Sequence, residues 1–371
     1  MPAIPYYPGP GDQWQRRTPD EAGFDAGRLA EAVAFAAANE TAWPRDLHEA
    51  IAQNTAPEGE HGAVLGPIKD RGAPNGLIVR HGYIVADWGD TSRVDMTFSI
   101  SKSYLATVAG LAVDAGIIRD LDEPIRETVD DGGFDPPHNH AITWRHLLQQ
   151  TSEWNGTLWG KPDSVDHDRA TRGSANVVKT GQPRELRAPG THWEYNDVRV
   201  NRLALALLRR WGRPLPGLFK EAIMDPIGAS DSWAWNGYHN SYIELHGEQV
   251  QSVSGGGHWG GGVWVNAMDH ARFGYLHLRR GRWEDRQLVS EAWVAAATTP
   301  CPINPVYGYL WWLNTDRLYY PSAPATSYFA VGWGPNIVWI DPGHDLVAVI
   351  RWTDGEAVDG VIQRVLAALK E

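Results

Sequence analysis

Ser99 and Lys102 stand three residues apart in the stretch TFSISKSYLA (97–106), just ahead of a run of apolar residues at helical spacing. Residues at i and i+3 share a helix face, so a helix opening near Ser99 brings the Lys102 amine within reach of the Ser99 hydroxyl. Serine is a weak nucleophile without a base, and a lysine withdrawn from water can lose its proton and serve as one. The free N–H groups and positive dipole end of the same helix would favour negative charge developing beside Ser99. The chemistry expected of the pair is attack on a carbonyl carbon through an acyl-enzyme. The plainer reading makes Ser99 a helix cap and leaves Lys102 solvated in the first turn. Lysine usage speaks against it: only six of the 33 basic residues are lysines, and lysine, unlike arginine, can give up its proton in a protein.

The elements around this pair follow from periodicity. GLIVRHGYIVADWGD (76–90) reads as a hairpin of two β-branched runs joined at His81-Gly82,. In SKSYLATVAGLAVDAG, Tyr104, Leu105, Val108, Leu111 and Ala112 repeat at helical spacing up to Gly116,. FDAGRLAEAVAFAAANE is a helix with Asp25 as its cap, and the Pro- and Gly-rich first 20 residues are expected to lie extended on the surface,. From 120 to 235 helix and loop alternate, with TWRHLLQQT and DVRVNRLALALLRRW the clearest helices and Asp197 the expected cap of the second. Strands return late: NIVWI and LVAVIRW flank the turn Asp341-Pro342-Gly343-His344, before a closing amphipathic helix VDGVIQRVLAALKE. Strands at both ends and helices between them predict an α+β fold with one antiparallel sheet built from N- and C-terminal pieces. The domain reading is a discontinuous sheet domain of residues 1–120 and 236–371 and a mainly helical domain of 121–235. Active sites commonly form at such a seam.

Composition excludes several function classes. The 371 residues carry a net charge of −12, and no segment shows the Lys/Arg excess that phosphate contacts demand, so no nucleic-acid partner is expected. No apolar run approaches the roughly 20 residues of a spanning helix, so no membrane association is expected. A lone Cys301 makes no internal disulfide, and the opening MPAIPYYPGPGDQWQRR has no secretory pattern; the expected location is the cytoplasm. The 19 tryptophans suggest an aromatic-lined cleft, though core packing accounts for most of them equally well,.

FSISKSYLATVAGLAVDAGIIRDLDEPI resembles the nucleophile helix of the serine β-lactamase and penicillin-binding protein superfamily, closest to the class C-like branch with family VIII carboxylesterases and nylon-oligomer hydrolases. The resemblance continues, in order, through ITWRHLLQQTSEW, PGTHWEYNDVRVNRLALAL, GGGVWVNAMDHARFG and NIVWIDPGHDLVAVIRW. It implies a β-lactamase/transpeptidase-like fold, an antiparallel sheet flanked by helices with a helical lobe inserted. It implies Ser99 as the acylated nucleophile, Lys102 as its proton acceptor, and Tyr195 as a second acid/base group sharing a proton with Lys102. Asp197 stands where the Tyr-x-Asn motif has Asn, and Ala330-Val331-Gly332 replaces the usual Lys/His-x-Gly, so the cation for a penicillin carboxylate is missing. Gly332 permits close backbone approach, and the N–H groups of Ser99 and Trp333 are the expected oxyanion hole. Trp154, Trp159, Asp197, His258, Gly332 and Trp333 are the expected substrate-binding residues.

Other patterns carry less. SGGGHWGGG lacks the spacing of a phosphate or dinucleotide loop. His138-x-His140 and Asp166-His167-Asp168 lack zinc-site spacings, so no metal and no cofactor are expected. No G-x-S-x-G occurs, which disfavours an α/β-hydrolase. The expectation is a serine hydrolase of a small ester. An amidase or peptidase on short oligomers or D-amino-acid amides, and a non-catalytic binding protein on the same fold, are the alternatives.

Overall fold

The strands Asn336–Asp341 and Leu346–Arg351 are buried at every position, which an alternating strand can be only where both of its faces are covered. In the computed structural model, which describes residues 5–171 and 183–370, they lie inside a six-stranded antiparallel sheet. Its order is Trp312–Leu313, Tyr328–Gly332, Asn336–Asp341, Leu346–Arg351, Asn75–Arg80 and Tyr83–Trp88. Chain ends meet here as the sequence predicts: Leu77 pairs with Val349, 272 positions further along the chain. The helices Ala26–Ala38 and Val358–Ala367 pack on each other, and Asp25 caps the first by accepting from Arg28 N. The helix Ala267–Leu278 crosses the central strands with Gly274 against Val338 and Val347.

A second antiparallel sheet departs from the single sheet expected. Asp95–Met96, Gly262–Val265, Ala234–Leu245 and Glu248–Val253 form it in that order. Its two-residue edge strand has no periodicity to betray it, yet it feeds the segment that carries Ser99. Residues 5–20 lie mostly at the surface without helix or strand, as expected, but aromatic side chains anchor them. Trp14 is buried with its Nε1 donating to Gly82 O at 2.7 Å, and Tyr6 stacks on Tyr83.

The helix Ile100–Asp114 is buried on all sides from Ile100 to Ala112. A helix without a polar face belongs in an interior, and this one runs beside both sheets and the helix Asp197–Trp211. That second helix begins under an Asn196 cap, whose side chain accepts from Arg199 N, and ends at Gly212 with φ of 63°. Asp197 is therefore not the cap. It is the first helical residue, and its carboxylate is free to point elsewhere. Among the described residues no helix is long and apolar enough to cross a membrane.

Candidate active site

Ser99 is placed by a sharp entry. Thr97 donates to Val263 O through both its N (3.1 Å) and its Oγ1 (2.8 Å), Phe98 turns at φ of +50°, and Ile100 begins the helix. A positive φ on a bulky residue is costly and persists only where the surroundings impose it. Arg351, fully buried, supplies much of that constraint: its guanidinium donates to Met96 O (2.9 Å), Val265 O (2.7 Å) and Asn336 Oδ1 (2.9 Å). Trp352 Nε1 reaches Asp95 Oδ2 at 2.8 Å.

Although Ser99 occupies the cap position, its hydroxyl makes no capping bond. It accepts instead from Lys102 Nζ at 2.8 Å. Lys102 is 1% exposed, and its other hydrogen-bond partner is Asp197 Oδ1 at 2.7 Å. The same carboxylate binds the Arg169 guanidinium through Oδ2. Burial works to raise the Asp197 carboxyl, but Lys102 and Arg169 outweigh it and hold the group below the usual carboxylate range,. Burial likewise opposes the Arg169 charge, and Asp166 and Asp197 more than restore it.

A further chain of polar groups stands behind Arg169. Its Nη2 donates to His258 Nδ1 at 3.2 Å, and His258 Nε2 lies 2.6 Å from Glu58 Oε1. Trp259 Nε1 donates to Glu58 Oε2 at 2.7 Å. Because arginine can only donate, Nδ1 of His258 is the acceptor and the proton sits on Nε2, facing Glu58. Burial and then Arg169 push the imidazole down, which agrees with a neutral ring. Asp166 accepts from Asp197 N at 2.7 Å.

Two glycines let the backbone come close. A Cβ on Gly256 would overlap Asp197 Oδ1 and stand 2.5 Å from Lys102 Nζ. A Cβ on Gly332 would run into Thr97 O and stand 3.2 Å from Ser99 N. The glycine-rich SGGGHWGGG segment is thus the roof of the lysine–aspartate pair, and the strand Tyr328–Gly332 passes directly beside Ser99.

Ser99 opens into a cavity of about 200 Å³ walled by Arg169, Tyr195, Trp312, Tyr319, Val331, Gly332 and Trp333. A larger hollow of about 470 Å³ near Glu291 and Tyr328 holds no lysine. Tyr195 lies beside Lys102 differently from the expectation. The ammonium sits over its ring, 4.5 Å from the centroid, while Trp312 stacks on it at 5.4 Å. Lys102 shares its protons with Ser99 and Asp197 rather than with the Tyr195 hydroxyl.

Several expected substrate contacts have other work. Asp197 is wholly buried between two cations and offers nothing to a ligand. His258 is 2% exposed beneath Trp333, 4.6 Å between ring centroids. Trp154 is buried with Nε1 on Gly133 O at 2.7 Å, and Trp159 receives the Asn240 amide on its carbonyl at 3.0 Å; neither lines the cavity. Trp333 and Gly332 do line it. Arg169, Glu58, Gly256, Trp312 and Tyr319 were not singled out by spacing, because they reach the site from segments far apart in the chain, and Asp166 was weighed only as a metal ligand.

Glu58, Asp166 and His258 bring ligand-type atoms within 4.8 Å of one another. The Arg169 guanidinium already touches that cluster, 3.6 Å from Asp166 and 3.2 Å from His258, and supplies the positive charge a metal would bring. The second such group, Glu153, His192 and Glu194, is served in the same way by Arg184 and Arg199. His138 and His140 bond to the carbonyls of Glu153 and Asp135, and His167 bonds to Asp163.

A model of the Beta-lactamase family matches residues 77–370. The chain belongs to the Beta-lactamase family. It is accordingly a Beta-lactamase-like member of a hydrolase family, and its fold agrees. A beta-lactamase from Mycobacterium bovis superposes with a TM-score of 0.56 at 20% identity, covering 80% of this chain and 95% of that one. EstCE1, a hydrolase with promiscuous acyltransferase activity, gives 0.56 at 17% identity over 93% of this chain and 99% of its own. An uncharacterized protein of Alkalihalophilus pseudofirmus is 25% identical over 272 residues, 68% of this chain and 71% of that protein.

Proposed function

We propose that this chain is a serine hydrolase that cleaves small, uncharged esters through an acyl-enzyme on Ser99. The observation that carries the reading is the 2.8 Å contact between Ser99 Oγ and a Lys102 amine that water does not reach, at the buried mouth of a helix. In the reactive form Lys102 is the neutral amine. It takes the Ser99 proton as Oγ attacks the carbonyl carbon, and the oxyanion settles against the Ser99 and Trp333 N–H groups. Lys102 or the Tyr195 phenol beside it then protonates the leaving alcohol. A water activated by the same groups cleaves the acyl-enzyme, releases the acid and restores Ser99. No cofactor enters these steps.

The preference for uncharged esters rests on the walls. Trp312, Tyr319, Val331 and Trp333 are aromatic or apolar, and among the described residues of the wall the cation, Arg169, is already bound to two aspartates. The strand beside Ser99 carries Ala330-Val331 where a cation would be needed to hold a carboxylate. EstCE1, whose name records hydrolase and acyltransferase activity, lends the ester reading support from the same fold. A non-catalytic scaffold would have no need to bury a lysine against a serine.

Fluorophosphonate labelling with mass spectrometry of the Ser99 peptide tests the assignment. Wild type should take one label and Ser99→Ala none; equal labelling of both defeats it. Matched p-nitrophenyl esters and anilides test the substrate class, and anilide turnover comparable to ester turnover would make the protein an amidase instead.

A further inference from the structure

Asp197 lies between two cations, with Oδ1 on Lys102 and Oδ2 on Arg169. Arg169 is held in place, because Asp166 lies 3.6 Å from the same Nη1 that binds Asp197, His258 takes Nη2 at 3.2 Å, and Glu58 fixes His258 from behind at 2.6 Å. Lys102, Asp197, Arg169, Asp166, His258 and Glu58 are each less than 10% exposed, so their mutual fields are little screened. The geometry points to Arg169 as a positioning residue that sets the pH at which the Ser99–Lys102 pair becomes reactive, by engaging the half of the Asp197 carboxylate turned away from Lys102. This inference rests on the hydrolase reading above.

The argument is one of charge. A carboxylate with no other partner would favour the Lys102 ammonium strongly, and an ammonium cannot take a proton from Ser99. A second cation on the same carboxylate offsets that pull and repels the first. The remaining titratable groups around the pair do not change the sign. Tyr195 presents its ring face to Lys102. Tyr238, on the strand Ala234–Leu245, and Tyr307 are buried phenols pushed up by desolvation, and both stay neutral. Asp166 accepts from Asp197 N at 2.7 Å and also faces Arg169 at 3.6 Å, Glu58 is bonded to the distal side of His258, and His258 is neutral. Gly256 closes the remaining side with backbone alone.

The two members of the pair therefore act in opposite senses, which damage to folding does not. The test is the second-order rate of Ser99 labelling by a fluorophosphonate, measured against pH for wild type, Arg169→Gln, Arg169→Met, Arg169→Lys and Asp197→Asn. Removing the Arg169 charge should move the acidic limb of the profile up by at least about one pH unit, and removing the Asp197 charge should move it down by at least about one. Arg169→Lys, which keeps the cation, should bring the limb back towards wild type. Limbs that stay in place while rates fall at every pH, or that move the same way in both kinds of variant, overturn the proposal. The two Arg169 replacements differ in polarity, so loss of one to misfolding leaves the other, and Asp197→Asn decides the opposite arm. A wild type that labels at Ser99 while the variants show no shift refutes this inference alone. A wild type that does not label refutes the hydrolase reading and this inference with it.

Discussion

Gly256 is the residue on which the geometry of the proposed catalytic site is least forgiving. A methyl group there overlaps Asp197 Oδ1 and crowds Lys102 Nζ, and neither partner can retreat, because Asp197 is also tied to Arg169 and Lys102 is enclosed. Gly256→Ala should cost about 1–3 kcal/mol of stability by overpacking. It should slow ester hydrolysis at least about 100-fold, since a displacement near 1 Å at a reacting group has that effect. Denaturant midpoints and kcat measured together check this; a folded variant with near-normal kcat would show that the Lys102–Asp197 contact is dispensable. The case also shows what a sequence discloses at this scale. Ser99 and Lys102 are legible because one helix turn fixes their relation from spacing alone. Gly256, Arg169 and Glu58 are not, because a glycine needed for clearance looks like any loop glycine and the other two converge from segments about 110 residues apart. Asp197 was visible but misassigned, since a residue at a helix start reads as a cap until Asn196 is seen to do that work.

At the scale of elements, the strand–turn–helix around Phe98 depends on partners brought from the far end of the chain. Arg351 donates to Met96 O, Val265 O and Asn336 Oδ1, so it ties the two sheets together directly behind Ser99. Arg351→Met keeps the bulk and leaves three buried acceptors without their donor, each worth about 1–3 kcal/mol. The expected outcome is a loss of about 3–5 kcal/mol in urea unfolding, with kcat reduced more than KM because Phe98 is no longer held at its positive φ. Unchanged stability would mean that the turn is held by the Trp352–Asp95 bond and the Thr97 ladder instead. Four strands of the six-stranded sheet were readable from the β-branched runs at both ends, whereas Trp312–Leu313 is too short to show a period and Tyr328–Gly332 was placed only by the resemblance. The second sheet was not, because Asp95–Met96 has two residues and Ala234–Leu245 is irregular, its register against Glu248–Val253 shifting between Gly237 and Tyr242.

Over the whole molecule, buried titratable groups make the fold sensitive to acid in two separable ranges. Burial pushes His277 down from 6.5 to about 4, only partly opposed by its bond to Phe273 O. The unfolded chain therefore binds a proton below pH 6.5 that the folded chain refuses until pH 4, and stability falls with pH across that window. His270, buried near Arg351, is also lowered and adds in the same direction. The second range belongs to Glu153. Burial would raise its carboxyl, but the Arg184 hydrogen bonds, Arg199 and the Arg187 N–H hold it at about 2, against 4.5 when free. A depressed carboxyl contributes stability that is complete above its unfolded value and is lost as pH falls from 4.5 towards 2, here on the order of 3 kcal/mol. Denaturant midpoints from pH 7 to pH 3 separate the two ranges. His277→Gln should flatten the slope between pH 6.5 and 4 by up to about 1.4 kcal/mol per pH unit, the equivalent of one proton, while leaving the drop below pH 4.5 in place. Glu153→Gln should do the reverse, lowering stability at neutral pH because Arg184 and Arg199 lose their shared carboxylate, and removing most of the fall below pH 4.5. A His277→Gln protein whose stability still falls between pH 6.5 and 4 as steeply as wild type would place the upper acid sensitivity elsewhere, with His270 the next group to replace.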